Sequence, residues 1–246
     1  MLVGYEIRAA AFVLLGILWA GPSLAEASEC FHFGYDADGP GAGGDATLGK
    51  VSDLSPRVNF VKRASVQKSC PNNTAACQDK AYLVPGDEVV VTGARGEFVC
   101  ATYVSAKGRV SNGWLPRAAV TTVPEQPQIQ SRDWLGTWRS GPEQEIVIGA
   151  PGSADKLTIT GDASWGASDP EKVKTGSVHM GELNGEAAPR GAELSFGMGE
   201  NGTVPYDKAE ETDCRVQMRR LGSYLLVRDN NMCGGANVSF TGVYRR

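Results

Sequence analysis

The chain is poor in the side chains on which most enzymes depend. Of 246 residues only His32 and His179 are histidines, so a serine, threonine or cysteine nucleophile has few candidate bases. There is no Gly-x-Ser-x-Gly elbow, no His-Glu-x-x-His pair, and no glycine-rich phosphate loop ending in Lys-Ser or Lys-Thr. Hydrolase, zinc-protease and nucleotide-binding signatures are therefore missing. No Cys-x-x-Cys occurs either, which argues against a zinc knuckle or a dithiol redox motif. Excess positive charge is lacking: the formal net charge is −4, which gives no electrostatic case for nucleic acid or an anionic membrane surface. Apolar runs long enough to span a bilayer, about 20 residues, are also absent.

The longest apolar run, residues 9–20, follows Arg8 and ends at Gly21-Pro22, with Ser23-Leu24-Ala25 behind it. A charged start, a short apolar centre and small residues at the cleavage positions predict a secretory leader over 1–25. Cleavage after Ala27 is the alternative. Glu29 beside Cys30 does not suit lipid attachment. The expected location is periplasmic or secreted, with no membrane insertion once the leader is removed.

Six cysteines, at 30, 70, 77, 100, 214 and 233, follow that leader. In an oxidising compartment an even count reads as disulfides. Four precede a polar, proline-containing stretch at 124–133 and two follow it, so each half can pair internally. That parity pairs Cys214 with Cys233. The first four allow three pairings, of which Cys70–Cys77 with Cys30–Cys100 is preferred.

Thirty-one glycines and 13 prolines point to many turns and short strands, and the expected class is all-β. Residues 26–57 read as an irregular glycine-rich extension, since Gly39-Pro40-Gly41-Ala42-Gly43-Gly44 suits neither helix nor ladder. Asp36 and Asp38 lack the later ligands of a calcium loop and read as solvated loop. From Val58 the pattern changes. Strands are predicted at 58–61, 81–84, 88–92, 97–104, 113–116 and 120–123, with turns at Pro85-Gly86-Asp87, Gly93–Gly96 and Lys107-Gly108. Beyond the linker, strands are predicted at 145–148, 156–160, 192–196, 213–219, 224–228 and 237–244. Cys214, Val216 and Met218 alternate with Arg215, Gln217 and Arg219, so one face of that strand is buried. Segments 161–191 and 197–210 read as long glycine-rich connections.

Leu83-Val84-Pro85-Gly86-Asp87, the β-branched strand after it, Gly96-x-Phe98 and Gly113-Trp114-Leu115-Pro116 together resemble the bacterial SH3 domain, over residues 58–123. The departure is an insertion at 69–78, closed by Cys70 and Cys77. The resemblance implies a small barrel recognising cell-wall peptide or a protein partner. Over 134–246, Gly136-x-Trp138 and the Phe240-Thr241-Gly242-Val243-Tyr244-Arg245 ending resemble a lipocalin-type barrel. That resemblance implies a tryptophan plugging one end, with a late basic residue packed on its ring.

These resemblances direct attention to aromatic side chains. Tyr82, Tyr103, Trp114 and Trp165 are the candidate ligand contacts. Tyr82 and Tyr103 are expected to be exposed, while for Trp114 and Phe98 the core reading is favoured over a ligand contact. Trp138 is expected in the core, Trp134 and Trp165 partly outside it. His32 and His179 read as structural or surface groups, and the Asp229–Gly235 stretch as a turn pinned by Cys233. Asn-x-Ser/Thr triplets at Asn72, Asn201 and Asn237 are disregarded for a bacterial chain. The expected function is a non-catalytic binding protein of the envelope, without cofactor or metal. A second reading is an envelope inhibitor of the lysozyme-inhibitor type, or a small-ligand carrier, acting through the second barrel. A third is a carboxylate-dependent envelope hydrolase.

Overall fold

The computed structural model describes residues 29–30, 33, 45–125, 128–153 and 155–246. The expected leader, His32 and the Asp36/Asp38 loop lie outside them. The chain is all-β, with two antiparallel sheets and three disulfides. In the first sheet the strands are β1 (Thr47–Val51), β2 (Val58–Val61), β3 (Gln78–Leu83), β4 (Glu88–Arg95), β5 (Phe98–Val104), β6 (Val110–Pro116) and β7 (Val120–Val123). Their spatial order is β3-β2-β6-β5-β4-β1-β7.

A short helix, α1 (Ser131–Trp134), leads into β8 (Gly136–Arg139), β9 (Gln144–Ser153) and β10 (Lys156–Trp165). Helix α2 (Pro170–Thr175) precedes β11 (His179–Ala187), β12 (Glu193–Gly199), β13 (Gly202–Val204), β14 (Cys214–Leu221), β15 (Tyr224–Asp229) and β16 (Gly242–Arg245). The order β11-β10-β9-β8-β16-β15-β14-β12-β13 makes a nearly closed barrel, with its seam between β11 and the β12–β13 hairpin. At the seam, side chains replace a ladder. Glu186 N–H donates to Thr203 Oγ1 at 3.0 Å and Asn184 N–H to Met198 Sδ at 3.5 Å.

Four sequence expectations are corrected here. Residues 47–51, placed in an irregular extension, form β1, held between β4 and β7. Ser131, Arg132 and Asp133, read as linker, are helical: the Asp133 carboxylate accepts from Gln130 N–H at 2.8 Å and starts the turn. The connection at 161–191 contains β11. The last strand begins at Gly242, because residues 237–241 are held as a loop by Asp229.

Burial follows from which faces are covered. Along β15, Leu225 and Val227 point into the second barrel while Tyr224 and Leu226 pack against the first sheet. A strand covered on both faces has no polar side to present, which is why Tyr-Leu-Leu-Val is apolar throughout. The cluster outside the second barrel joins Leu221, Tyr224, Leu226 and Val243 to Leu48, Val90 and Val104. Arg245 Nη1 also donates to Val104 O at 3.1 Å. The sheets are distinct, but a shared buried layer joins them.

Candidate functional site

The exposed face of β2 and β3 carries the first candidate. Asn59 is opposite Tyr82 and Val58 opposite Leu83. Period two sends Val58 and Leu83 into the core and Asn59 and Tyr82 outward. Tyr82 is 52% exposed and Val84 44%. The Arg57 guanidinium lies 5.6 Å from the Tyr82 ring centre, an arrangement that steadies an otherwise mobile aromatic. Asn59 Nδ2 donates to Asp79 O at 2.9 Å and fixes the start of β3. Because β3 ends the sheet, one of its backbone edges has no strand beside it among the described residues. An exposed ring, a cation and a free edge suit an extended polypeptide.

The other three candidates do not join this face. Trp114 is fully buried among Val61, Phe98 and two disulfides, Cys30–Cys100 and Cys70–Cys77. No ligand can reach it, and its assignment as a contact is corrected to core. Its neighbours explain the burial: β5 sends Phe98 and Cys100 to the side away from Val99 and Ala101, and the two bridges cover that side. Tyr103 is half-buried under Arg245, whose guanidinium lies 5.7 Å from its ring and also 5.7 Å from that of Tyr224. Tyr103 therefore belongs to the junction between sheets rather than to an open surface. Trp165 is half-buried on the second barrel, 5.5 Å from His179 between ring centres and 4.9 Å from Lys172 Nζ.

Trp134, expected to be partly outside, is fully buried, and its backbone carbonyl accepts from Trp138 Nε1 at 2.9 Å. Trp138 is in the core as expected. Two guanidiniums cover it, Arg220 at 4.4 Å and Arg246 at 5.2 Å. Burial, with Arg246 nearby, pulls the Arg220 pKa down to about 10. Burial also pushes the Tyr224 and Tyr244 hydroxyls upward. Salt-bridging to Lys172 and the first amides of α2 hold the half-exposed Asp169 below its usual value. None of these groups lies on the Tyr82 face.

The six cysteines, His179 and Asp229 each have structural partners. All six cysteines are bridged, as Cys30–Cys100, Cys70–Cys77 and Cys214–Cys233. His179 Nδ1 lies in hydrogen-bonding contact with the carbonyl of Ala236. Asp229 accepts from Ser239 Oγ and Thr241 Oγ1, each at 2.7 Å, and from Phe240 N–H at 3.0 Å. Its carboxylate therefore organises the turn that precedes β16. Among the described residues no cluster of three or more His, Cys, Asp or Glu is arranged to hold a metal, and no helix is long and apolar enough to cross a membrane. No family model, curated protein or solved structure matches the chain.

Proposed function

We propose that this is an exported, non-catalytic binding protein of the bacterial envelope that recognises cell-wall peptide or an envelope protein through the face of β2 and β3. The observation that carries this reading is Tyr82, a large aromatic left half-exposed beside Arg57 on a strand that ends its sheet among the described residues. Six cysteines in three bridges fit an oxidising compartment. The resemblance to bacterial SH3 domains supplies the ligand class.

A carrier acting through the second barrel would need internal room. There Trp138, Phe196, Phe240 and Tyr244 are all essentially buried in one core, which favours a surface binder instead. Cosedimentation with purified peptidoglycan tests the proposal. The protein is expected to sediment with the wall and Tyr82→Ala to stay in solution with its melting temperature unchanged. Equal sedimentation of both, or none by either together with no captured envelope protein, would end this reading.

A further inference from the structure

An asparagine followed by glycine is open to attack on its side-chain amide by the next backbone nitrogen, because glycine has no Cβ to hinder the approach. The chain has three such pairs, Asn112-Gly113, Asn184-Gly185 and Asn201-Gly202. The fold treats them differently. Asn112 Nδ2 donates to Thr102 Oγ1 at 3.0 Å and to Ala101 O at 3.3 Å, and Gly113 is buried beside Phe60. Asn184 and Gly185 lie within β11, paired with Thr160 and Ile159 of β10. Gly185 is buried against the Phe196 ring. Bending either strand into a ring-closing geometry means opening its ladder first.

Asn201-Gly202 is under none of this restraint. Glu200 and Asn201 form the turn between β12 and β13, closed by the pairing of Gly199 with Gly202. Residues 200–203 are all exposed, and a side chain at Gly202 would meet nothing within 4 Å. No hydrogen bond holds the Asn201 carboxamide among the described residues. β13 is three residues long and ends its sheet among those residues. Such a short terminal hairpin opens more readily than a central ladder.

We propose that Asn201 is a site of spontaneous covalent modification, in which the Gly202 nitrogen displaces ammonia from the side-chain amide and the resulting isoaspartate loosens the barrel seam. The bond from Gly202 N to Asn201 Cγ forms as the Cγ–Nδ2 bond breaks, and the Gly202 amide proton leaves with the ammonia. Water then opens the cyclic imide at either carbonyl, giving aspartate or isoaspartate. Nothing is oxidised or reduced. Isoaspartate routes the main chain through the former side chain and so lengthens the turn between Gly199 and Gly202. That displaces the neighbouring pair, Met198 with Thr203, whose side chains accept the seam hydrogen bonds from Asn184 N–H and Glu186 N–H. The site is separate from the Tyr82 face and stands whether or not that face binds.

The test is peptide mapping by mass spectrometry after prolonged incubation of the disulfide-bonded protein in mildly alkaline buffer, folded and, in parallel, unfolded in guanidinium chloride. In the folded protein Asn201 is expected to lose ammonia at least roughly tenfold faster than Asn112 or Asn184, which react only after local opening. In denaturant the three rates should converge. An Asn201 that stays amidated, or that reacts no faster than the other two, overturns the proposal. So does a lead that persists undiminished in denaturant, because the local sequence rather than the fold would then set it. In the ¹⁵N-labelled protein, ageing should shift the amide resonances of Asn184 and Glu186 in proportion to the isoaspartate formed. Asn201→Asp adds the charge without lengthening the chain and should leave both resonances in place, and Asn201→Gln should age without these shifts. Unmoved resonances in the aged protein, or equal shifts in Asn201→Asp, would overturn the effect on the seam.

Discussion

The hydroxyl of Tyr224, in β15 of the second barrel, donates a hydrogen bond to the backbone carbonyl of Glu88, in β4 of the first sheet. Beside it, Ser223 Oγ donates to the Glu88 carboxylate at 2.6 Å. The Tyr224 ring is fully buried in the layer shared by the two sheets. Tyr224→Phe keeps the packing and orphans the carbonyl, so a loss of about 1–3 kcal/mol is expected. Tyr224→Ala should lose about 3–5 kcal/mol, as expected for truncating a buried aromatic. Calorimetry of the parent protein should show one unfolding transition. Two transitions, with Tyr224→Ala moving only one, would mean the junction does not couple the sheets.

Alkaline pH should act through the same residue. Burial raises the hydroxyls of Tyr224 and Tyr244 above the ordinary tyrosine value of about 10. The folded state then keeps two protons that the unfolded state loses. The stabilisation is full below pH 10 and disappears as pH climbs through the folded values. Melting temperature should therefore fall steeply above pH 10, and Tyr224→Phe should reduce the slope. Phenolate absorbance should develop fully only on unfolding. A melting temperature that is flat from pH 9 to the onset of hydrolysis would contradict the buried placement.

Much of the fold was legible because short β-branched runs and turn residues mark strands directly. Strands β2 and β7 occupy the predicted 58–61 and 120–123, and the alternation along β14 appears as alternating burial. β11 was missed for a physical reason. Its inward face reads Gly181, Leu183, Gly185, Ala187, too small to register as apolar. A side chain at Gly185 would begin 2.5 Å from the Phe196 ring, and one at Gly181 would begin 2.5 Å from the Cys233 carbonyl. The small residues are a response to neighbours far away in sequence. β1 was hidden because Gly49 and Lys50 interrupt its apolar pattern. A methyl group at Gly49 would sit 2.6 Å from the Val120 side chain on the neighbouring strand. Of the candidate site, Tyr82 was legible as an aromatic beside a turn. The core role of Trp114 was legible too, but not the two bridges that converge over it.

The three bridges should differ in worth according to the chain they close. Cys30–Cys100 spans 70 residues, Cys214–Cys233 spans 19 and Cys70–Cys77 spans 7. Loop-closure entropy gives about 4, 3 and 2 kcal/mol respectively. Pairwise Cys→Ala variants should rank in that order by denaturant midpoint. Removal of Cys30–Cys100 should also increase Trp114 exposure, read as a red shift in fluorescence. A reversed ranking would show that native packing around the bridges outweighs chain entropy.

Two cations cover the Trp138 ring, and they should not be equivalent. Arg220 is 6% exposed; it donates to Tyr224 O, and to Gly222 O at 2.9 Å. Arg246 is exposed and reaches the carbonyl of Leu135 at 2.8 Å. Lysine preserves the charge at either position but cannot reproduce the planar fork. At Arg220 the lost bonds leave buried carbonyls without a donor, so Arg220→Lys is expected to cost about 2 kcal/mol. At Arg246 water replaces what is lost, and the same change should cost less than about 0.5 kcal/mol. Urea denaturation of the two single variants decides the matter. Equal losses would mean that charge over the ring, rather than the buried hydrogen bonds of Arg220, is what holds this end of the barrel.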